Sequence, residues 1–137
     1  MPITTVNSNQ LISVAKYNEI QTSSTSVLSY YGVNATSVQI ADANAIIYAD
    51  NHWTKLYDDI NKCTIHQTGS VIPGATPPTN ATVASVVLTN QIIDAANLAV
   101  TNKANVASGQ TVSITTSSSR TSNFGTNVTI RHTAAYE

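Results

Sequence analysis

Hydrophobic and polar positions follow a helical period in three segments of the chain. In the first segment, apolar or small residues recur at spacings of three and four: Val14, Tyr17, Ile20, Ser24, Val27 and Leu28. Ser13 can accept a hydrogen bond from the first turn of a helix, and Gly32 can adopt the left-handed conformation that ends one. The pattern predicts a helix over residues 13–29.

The second segment has the strongest pattern. Its apolar stripe repeats with the spacing 3-4-3-4 and consists of Trp53, Leu56, Ile60, Cys63 and Gln67. Asp50 is a candidate cap for the start of the helix, and Gly69 lies where the helix would stop. We predict a helix over 49–67 that packs through this stripe. Its opposite side, expected to be solvated or interfacial, carries Lys55, Asp58, Asp59 and Lys62.

The third segment follows a proline- and threonine-rich stretch. Proline lacks an amide donor, so residues 71–78, with prolines at 73, 77 and 78, cannot continue a helix. The helical period then returns with Leu88, Ile92, Ala95, Ala96, Ala99 and Ala104. This pattern predicts a third helix from residue 86 to about residue 106.

The period changes to alternation after Gly109. Val112 and Ile114 alternate with hydroxyl residues, and Val128 and Ile130 alternate with polar ones, which predicts two strands. A two-stranded hairpin is only marginally stable in water. We therefore expect these strands to lie on the helices or to pair with strands of neighbouring subunits.

These patterns together predict an α+β fold. Residues 1–70 would form an assembly region built on an antiparallel helical hairpin, residues 71–85 a linker, and residues 86–137 a third helix followed by a two-stranded β segment that neighbouring subunits complete. The residues expected to carry packing or assembly are Tyr17, Ile20, Trp53, Leu56, Ile60, Cys63, Ile92, Val128 and Ile130.

Composition predicts a polar surface with few charges. The chain has 137 residues and a net charge of −1, and only 9% of its residues are charged, against a usual fraction of about 25%. Ser, Thr, Asn and Gln number 55, so uncharged groups dominate the surface, which favours close packing against neighbouring chains. The Lys and Arg residues are too few and scattered to bind nucleic acid or an anionic membrane, and no stretch has the roughly 18 apolar residues of a membrane span. We expect neither partner.

Residue types that bind metals occur together once, on the second helix. Asp59, Cys63 and His66 lie at i, i+4 and i+7, but no fourth ligand is evident, and His52 would lie roughly 21 Å from His66 along a continuous helix. Cys63 and His66 could instead form a thiol–imidazole pair, although the stripe places Cys63 in the packing seam. A buried, unreactive thiol is the favoured interpretation. We expect no metal, no cofactor and no catalytic residue, and therefore not an enzyme.

The aromatic residues allow a further interpretation. Side chains of this type can form a platform on which sugars stack. Their positions near the predicted helix ends favour a role in fixing one element against the next. The residues concerned are Tyr17, Tyr30, Tyr31, Tyr48, Trp53 and Tyr57.

Four runs of residues, taken in order, suggest a family. They are ISVAKYNEI at 12–20, YGV at 31–33, ADNHWTKLYDDI at 49–60 and HQTG at 66–69. This order resembles the small virion structural proteins of marine tailed bacteriophages, especially cyanophages. A later run, SRTSNFGTNVTI at 119–130, is similar to an Arg- and aromatic-containing strand segment of longer members.

The resemblance implies a repeated, non-enzymatic component of the neck, tail or baseplate of a virion. Its expected partners are copies of itself and other virion proteins, and its expected location is the virion, assembled in the host cytoplasm. A fibre adaptor, or a module that binds a host receptor or glycan, is the alternative.

Overall fold

The computed structural model describes residues 1–8, 10–77 and 85–105, and their secondary structure is helical. The α-helices are α1 (Val14–Tyr30), α2 (Thr54–Thr68) and α3 (Val86–Thr101), and a π-helical turn (Ala49–Trp53) precedes α2. The α+β prediction is wrong, because the described residues form three α-helices and no β-strand. The predicted strand positions lie outside the described residues: Val112, Ile114, Val128 and Ile130.

α1 forms where the spacing predicted it. The backbone amide of Lys16 donates to Ser13 Oγ at 3.2 Å, which confirms Ser13 as the N-cap. Beyond the other end, Gly32 has a φ of 73°, a left-handed conformation that glycine adopts without steric strain. The amide of Val33 then bonds to the carbonyl of Leu28 at 2.9 Å, which closes the end of the helix.

α2 begins later than predicted, because the residues before it form the π-helical turn. The amide of Trp53 donates to the carbonyl of Tyr48, five residues earlier. Asp50 lies inside this wide turn, exposed, and neither the turn nor α2 has a side-chain cap, so the predicted Asp50 cap is wrong. At the far end, Gly69 is left-handed with a φ of 76°, as expected for a C-cap.

α3 begins at a serine cap and ends earlier than predicted. Ser85 Oγ accepts a hydrogen bond from the amide of Leu88 at 3.1 Å. The helix ends at Thr101, so Ala104 lies in an exposed turn beyond it and is not part of the buried stripe. Thr101 and Asn102 have low helix propensity because their side chains compete for backbone hydrogen bonds, which favours a stop at this point.

The three helices run parallel, which overturns the predicted antiparallel hairpin. Near the start of α1, the ring of Tyr17 contacts the ring of Trp53 edge-on, with centroids 5.6 Å apart. Just beyond the end of α1, Tyr31 Oη accepts a hydrogen bond from Gln67 in the last turn of α2 at 2.7 Å. Gln67 also donates to the carbonyl of Ala99, near the end of α3, at 2.8 Å. The C-terminal ends of all three helices therefore lie together.

A long connection between α1 and α2 permits this arrangement. Antiparallel neighbours are usually joined by about two to eight residues, whereas residues 31–53 separate these two helices. The 17 residues of α1 extend over about 25 Å, a distance that about eight extended residues can cover. The connection therefore has enough length to return alongside α1 before α2 begins.

The predicted packing residues within the described ranges are all buried in the core between the helices: Tyr17, Ile20, Trp53, Leu56, Ile60, Cys63 and Ile92. Ile3, Ile40 and Ile72 from the extended segments join the main cluster, and Cys63 packs with Val27 in a second one. Each extended segment thus contributes to the same interior as the helices. In the ranges described, no helix is long and apolar enough to cross a membrane.

Candidate assembly surface

The N-terminal arm, residues 1–7, lies along α3 and is held there by two asparagines. The Ile3 amide donates to Asn97 Oδ1 at 2.8 Å, and Asn97 Nδ2 donates to the Ile3 carbonyl at 2.9 Å. Asn90 pairs with Val6 in the same way, at 2.8 and 3.0 Å. An asparagine amide offers the same donor and acceptor as a peptide group, so each of these side chains forms the two hydrogen bonds that a neighbouring strand would form. We call this side of α3 the arm-binding face.

The spacing of the two pairs follows from backbone geometry. Asn90 and Asn97 are seven residues apart, which is about 10.5 Å along a helix. Ile3 and Val6 are three residues apart, which is about 10 Å along an extended chain. The two distances match. The arm runs antiparallel to α3, because Ile3 binds Asn97 and Val6 binds Asn90. The side chains of Ile3 and Val6 are buried beneath the arm, at 5% and 8% exposure.

Asparagines on the other two helices bind extended segments in a similar manner. Asn18 of α1 pairs with both backbone groups of Ile40, each at 2.9 Å. Asn61 of α2 accepts a hydrogen bond from the Ile72 amide at 3.0 Å. Extended backbone needs partners for its polar groups, and helix side chains supply them here. At these positions the extended backbone bonds to helix side chains and not to a neighbouring strand.

The carboxylate of Asp59, on α2, binds the connection between α1 and α2. It accepts hydrogen bonds from the backbone amides of Thr36 and Ser37, the shortest at 2.9 and 2.7 Å, and from both hydroxyl groups at 2.8 and 2.7 Å. The side chain is fully buried. The helical pattern predicts Asp58 and Asp59 on a solvated or interfacial face. Asp58 is exposed, whereas the prediction is wrong for Asp59, which is buried inside the subunit.

These donors determine the ionisation state of Asp59. Burial by itself raises the pKa of a carboxyl group, but the hydrogen bonds from Ser37 and Thr36 favour the charged form and bring the pKa of Asp59 below its ordinary value. Lys62 adds a partly exposed ion pair at 3.3 Å. Asp59 is therefore a structural carboxylate that remains ionised, with its oxygen atoms occupied by the protein's own donors.

Cys63 is buried, as the stripe predicted, and its chemistry is that of a packed thiol. Burial, and secondarily the charge of Asp59, raises the pKa of Cys63 to about 11. Such a thiol is protonated near neutral pH and is a poor nucleophile. The ring of His66 packs against Tyr31, with centroids 4.3 Å apart. Within the described ranges, no group of three His, Cys, Asp or Glu side chains is arranged to hold a metal ion.

The aromatic residues considered for a sugar platform lie in separate places. Three are buried: Tyr17, Trp53 and Tyr57. Tyr48 is exposed near the start of α2, whereas Tyr30 and Tyr31 lie at the opposite end of the helices. The rings of Tyr30 and Tyr31 are inclined at 68° to each other. Tyr30 and Tyr31 therefore do not form one flat surface, and the glycan-binding alternative stays a prediction.

A groove of about 230 Å³ lies between α2 and α3. Its lining comprises Thr64, Gln67, Thr68, Ile72, Pro73, Gln91, Asp94, Ala95, Leu98 and Asn102. Ile72 and Ala95 are buried, whereas Leu98 is 59% exposed. Gln91 and Leu98 directly follow the arm-binding residues Asn90 and Asn97, so this α2–α3 groove is about 100° around α3 from the arm-binding face.

The side chains that organise these surfaces were not singled out from the sequence. Asn18, Asn61, Asn90 and Asn97 belong to a chain in which asparagine is common, so none of them differs in composition from its surroundings. The seven-residue spacing of Asn90 and Asn97 was the available signal, because it places both on one helix face opposite an extended segment. Asp59 gave a weaker signal, as a carboxylate directly beside the buried stripe.

Comparison with known proteins gives no relative. No protein-family model, no curated protein and no solved structure matches this chain.

Proposed function

We propose that this chain is a structural subunit of a tailed-bacteriophage virion, part of the neck, tail or baseplate, with no catalytic role. It assembles with copies of itself and with other virion proteins in the host cytoplasm. The resemblance of residues 12–69 and 119–130 to small virion proteins suggests the particle. The physical support for assembly comes from the surface of α3 and the α2–α3 groove.

The observation that carries the proposal is the set of apolar side chains that this surface leaves in water. Val87 and Leu98, which lie on this side of α3, are 68% and 59% exposed. Ile65 and Val71, at the end of α2 and just beyond it, are 39% and 57% exposed. Covering such groups with another subunit gains about 25 cal/mol for each Å² of apolar surface removed from water.

The polar groups around the groove also suit a protein partner. Among the described residues that line the groove, Asp94 is the single charged one, and the others have apolar, hydroxyl or amide side chains. Uncharged groups lose less hydration energy on burial than charges do, and amides can exchange water for hydrogen bonds to a partner. A large interface on this side therefore has a low desolvation cost.

Two measurements test the proposal. Mass spectrometry of purified particles from the phage that encodes this chain should detect it in many copies per particle, and its absence from them would refute the virion assignment. Separately, light scattering of the recombinant full chain should show concentration-dependent association that Leu98→Asp reduces. Val38→Asp is the matched control, since Val38 is 62% exposed on the connection between α1 and α2. Equal association of the two variants would show that the groove is not the contact.

A further inference from the structure

We propose that the N-terminal arm is exchanged between copies of this chain, so that the arm-binding face of one subunit holds residues 1–7 of a second subunit. The inference rests on the proposed self-assembly and adds to the α2–α3 groove a second contact between copies. It identifies α3 as a receptor for an extended segment with Ile and Val three residues apart.

The first reason is that the arm is bound as a separate segment. Its partners Asn90 and Asn97 lie 84 and 94 residues away in the chain, and they bind its backbone through side-chain amides. The four hydrogen bonds depend on the arm and on α3. Ile3 also packs into the main core cluster with residues of α1 and α2, and Thr4 Oγ1 accepts a hydrogen bond from Lys16 of α1 at 3.3 Å. An arm from a second copy would make the same contacts, as in domain swapping.

The second reason is the construction of the hinge between the arm and α1. Its turn is closed by two local hydrogen bonds, from the Gln10 amide to the Asn7 carbonyl at 3.0 Å and from the Asn7 amide to Gln10 Oε1 at 3.1 Å. Both residues are exposed, so opening the turn uncovers no core. Leu11, next to this turn, is 97% exposed, an apolar side chain that a second subunit could cover.

Mass action determines which form dominates. In the closed form the arm competes for its own α3 with an effective concentration in the millimolar range, typical of short flexible links. Exchange keeps the contacts and changes only the hinge, so it becomes favourable when subunits are concentrated, as in a growing particle. Exchanged arms would connect successive copies without requiring any new polar contact.

The test uses full-length variants with a matched control. Asn90→Asp/Asn97→Asp preserves side-chain shape but removes both Nδ2 donors and places carboxylate oxygens opposite the arm's carbonyls. Asn44→Asp/Asn51→Asp adds the same charge at two exposed positions. The substitution weakens the arm contact within a subunit and between subunits alike, so the dimer dissociation constant rises once the arm is released from both faces. With both donors lost and repulsion added, native mass spectrometry and sedimentation should show a rise of at least about tenfold. The control should behave like the wild type, and circular dichroism should show helical content unchanged in both.

A mixing experiment separates arm exchange from other modes of assembly. Ile3→Asp has a defective arm and an intact α3, and Asn90→Asp/Asn97→Asp has an intact arm and a defective α3. If one variant carries ¹⁵N, a mixed dimer has a distinct mass. Both variants also carry Leu98→Asp, which removes association through the α2–α3 groove, so each alone should be mainly monomeric. The mixture should form mixed dimers more readily than Leu98→Asp alone forms dimers, because no intact arm competes for the intact face.

Three outcomes would overturn arm exchange. The first is that both variants fold but form no mixed dimer when they are combined. The second is that the wild-type protein stays monomeric up to millimolar concentration. The third is oligomers that persist in both variants. That last result would leave the proposed subunit function standing, with assembly through a different surface. Shortening the hinge by deletion of residues 8–11 gives an independent check, since it should convert the chain to stable dimers by preventing closure.

Discussion

Asn97 and Ile3 lie 94 residues apart in the sequence, yet the side-chain amide of one pairs with both backbone polar groups of the other, at 2.8 and 2.9 Å. The pair has the hydrogen-bond pattern of two adjacent strands although one partner belongs to a helix. Asn90 and Asn18 repeat this arrangement. The described extended segments are therefore fixed residue by residue by helix side chains.

Hydrogen exchange should report this directly. The backbone amides of Ile3, Val6, Ile40 and Ile72 each donate to an asparagine oxygen, so we expect them to exchange at least about tenfold more slowly than exposed neighbours such as Thr5 and Val38. NMR-detected exchange at neutral pH would measure the rates. Rates equal to those of the exposed neighbours would mean that the asparagine pairs are open most of the time.

Local patterns were sufficient to predict much of the helical framework. Ser13, Gly32 and Gly69 mark helix ends through capping chemistry that involves only neighbouring residues, and the 3-4 spacing identified side chains that the core contains. The predicted direction of α2 relative to α1 was wrong, because the periodicity of packing positions does not distinguish parallel from antiparallel neighbours. The length of residues 31–53 was the missing constraint, since so long a connection makes a close hairpin unnecessary.

The candidate surface was less predictable, for a physical reason. The Asn97–Ile3 pair joins positions at opposite ends of the described chain, and hydrogen bonding between them leaves no local periodicity. Asp59 shows the same limit, because the donors that bind it come from Thr36 and Ser37, more than 20 residues away in the sequence. Side chains whose partners are distant in sequence require the fold to be known first.

Asp59→Asn should destabilise the chain strongly. The substitution removes the charge that four donors surround and turns an amide group toward some of them, so we expect a loss of about 2–4 kcal/mol in the free energy of unfolding. Urea titration followed by circular dichroism would measure it. Asp58→Asn is the matched control, because Asp58 is exposed on the same helix, and its effect should stay within about 0.5 kcal/mol. Equal effects of the two changes would contradict the structural role of Asp59.

The same carboxylate gives stability a defined dependence on pH. Because the folded pKa of Asp59 lies below the ordinary value of 3.8, the folded state holds the charged form while the unfolded state binds a proton. The stabilisation is present in full above the unfolded pKa and is lost as pH falls through the folded one. Wild-type stability should therefore decline below about pH 4, and urea titrations at pH 3 to 6 should show a weaker decline for Asp59→Asn. Identical slopes would mean that folding does not lower the pKa of Asp59.

Cys63 should report global opening of the core. Its side chain is fully buried and its pKa of about 11 keeps the thiol protonated, so a small disulfide reagent at pH 8 should react about a thousandfold or more slowly with folded chain than with chain in guanidinium. Val38→Cys in a Cys63→Ala background is the control for an exposed thiol, and it should react at nearly the same rate in both conditions. Because reaction requires opening, substitutions that destabilise the core, Asp59→Asn among them, should accelerate labelling of Cys63 about tenfold for each 1.4 kcal/mol of stability they remove. Rapid labelling of the native wild-type thiol would instead revive the interpretation of Cys63 as a reactive site.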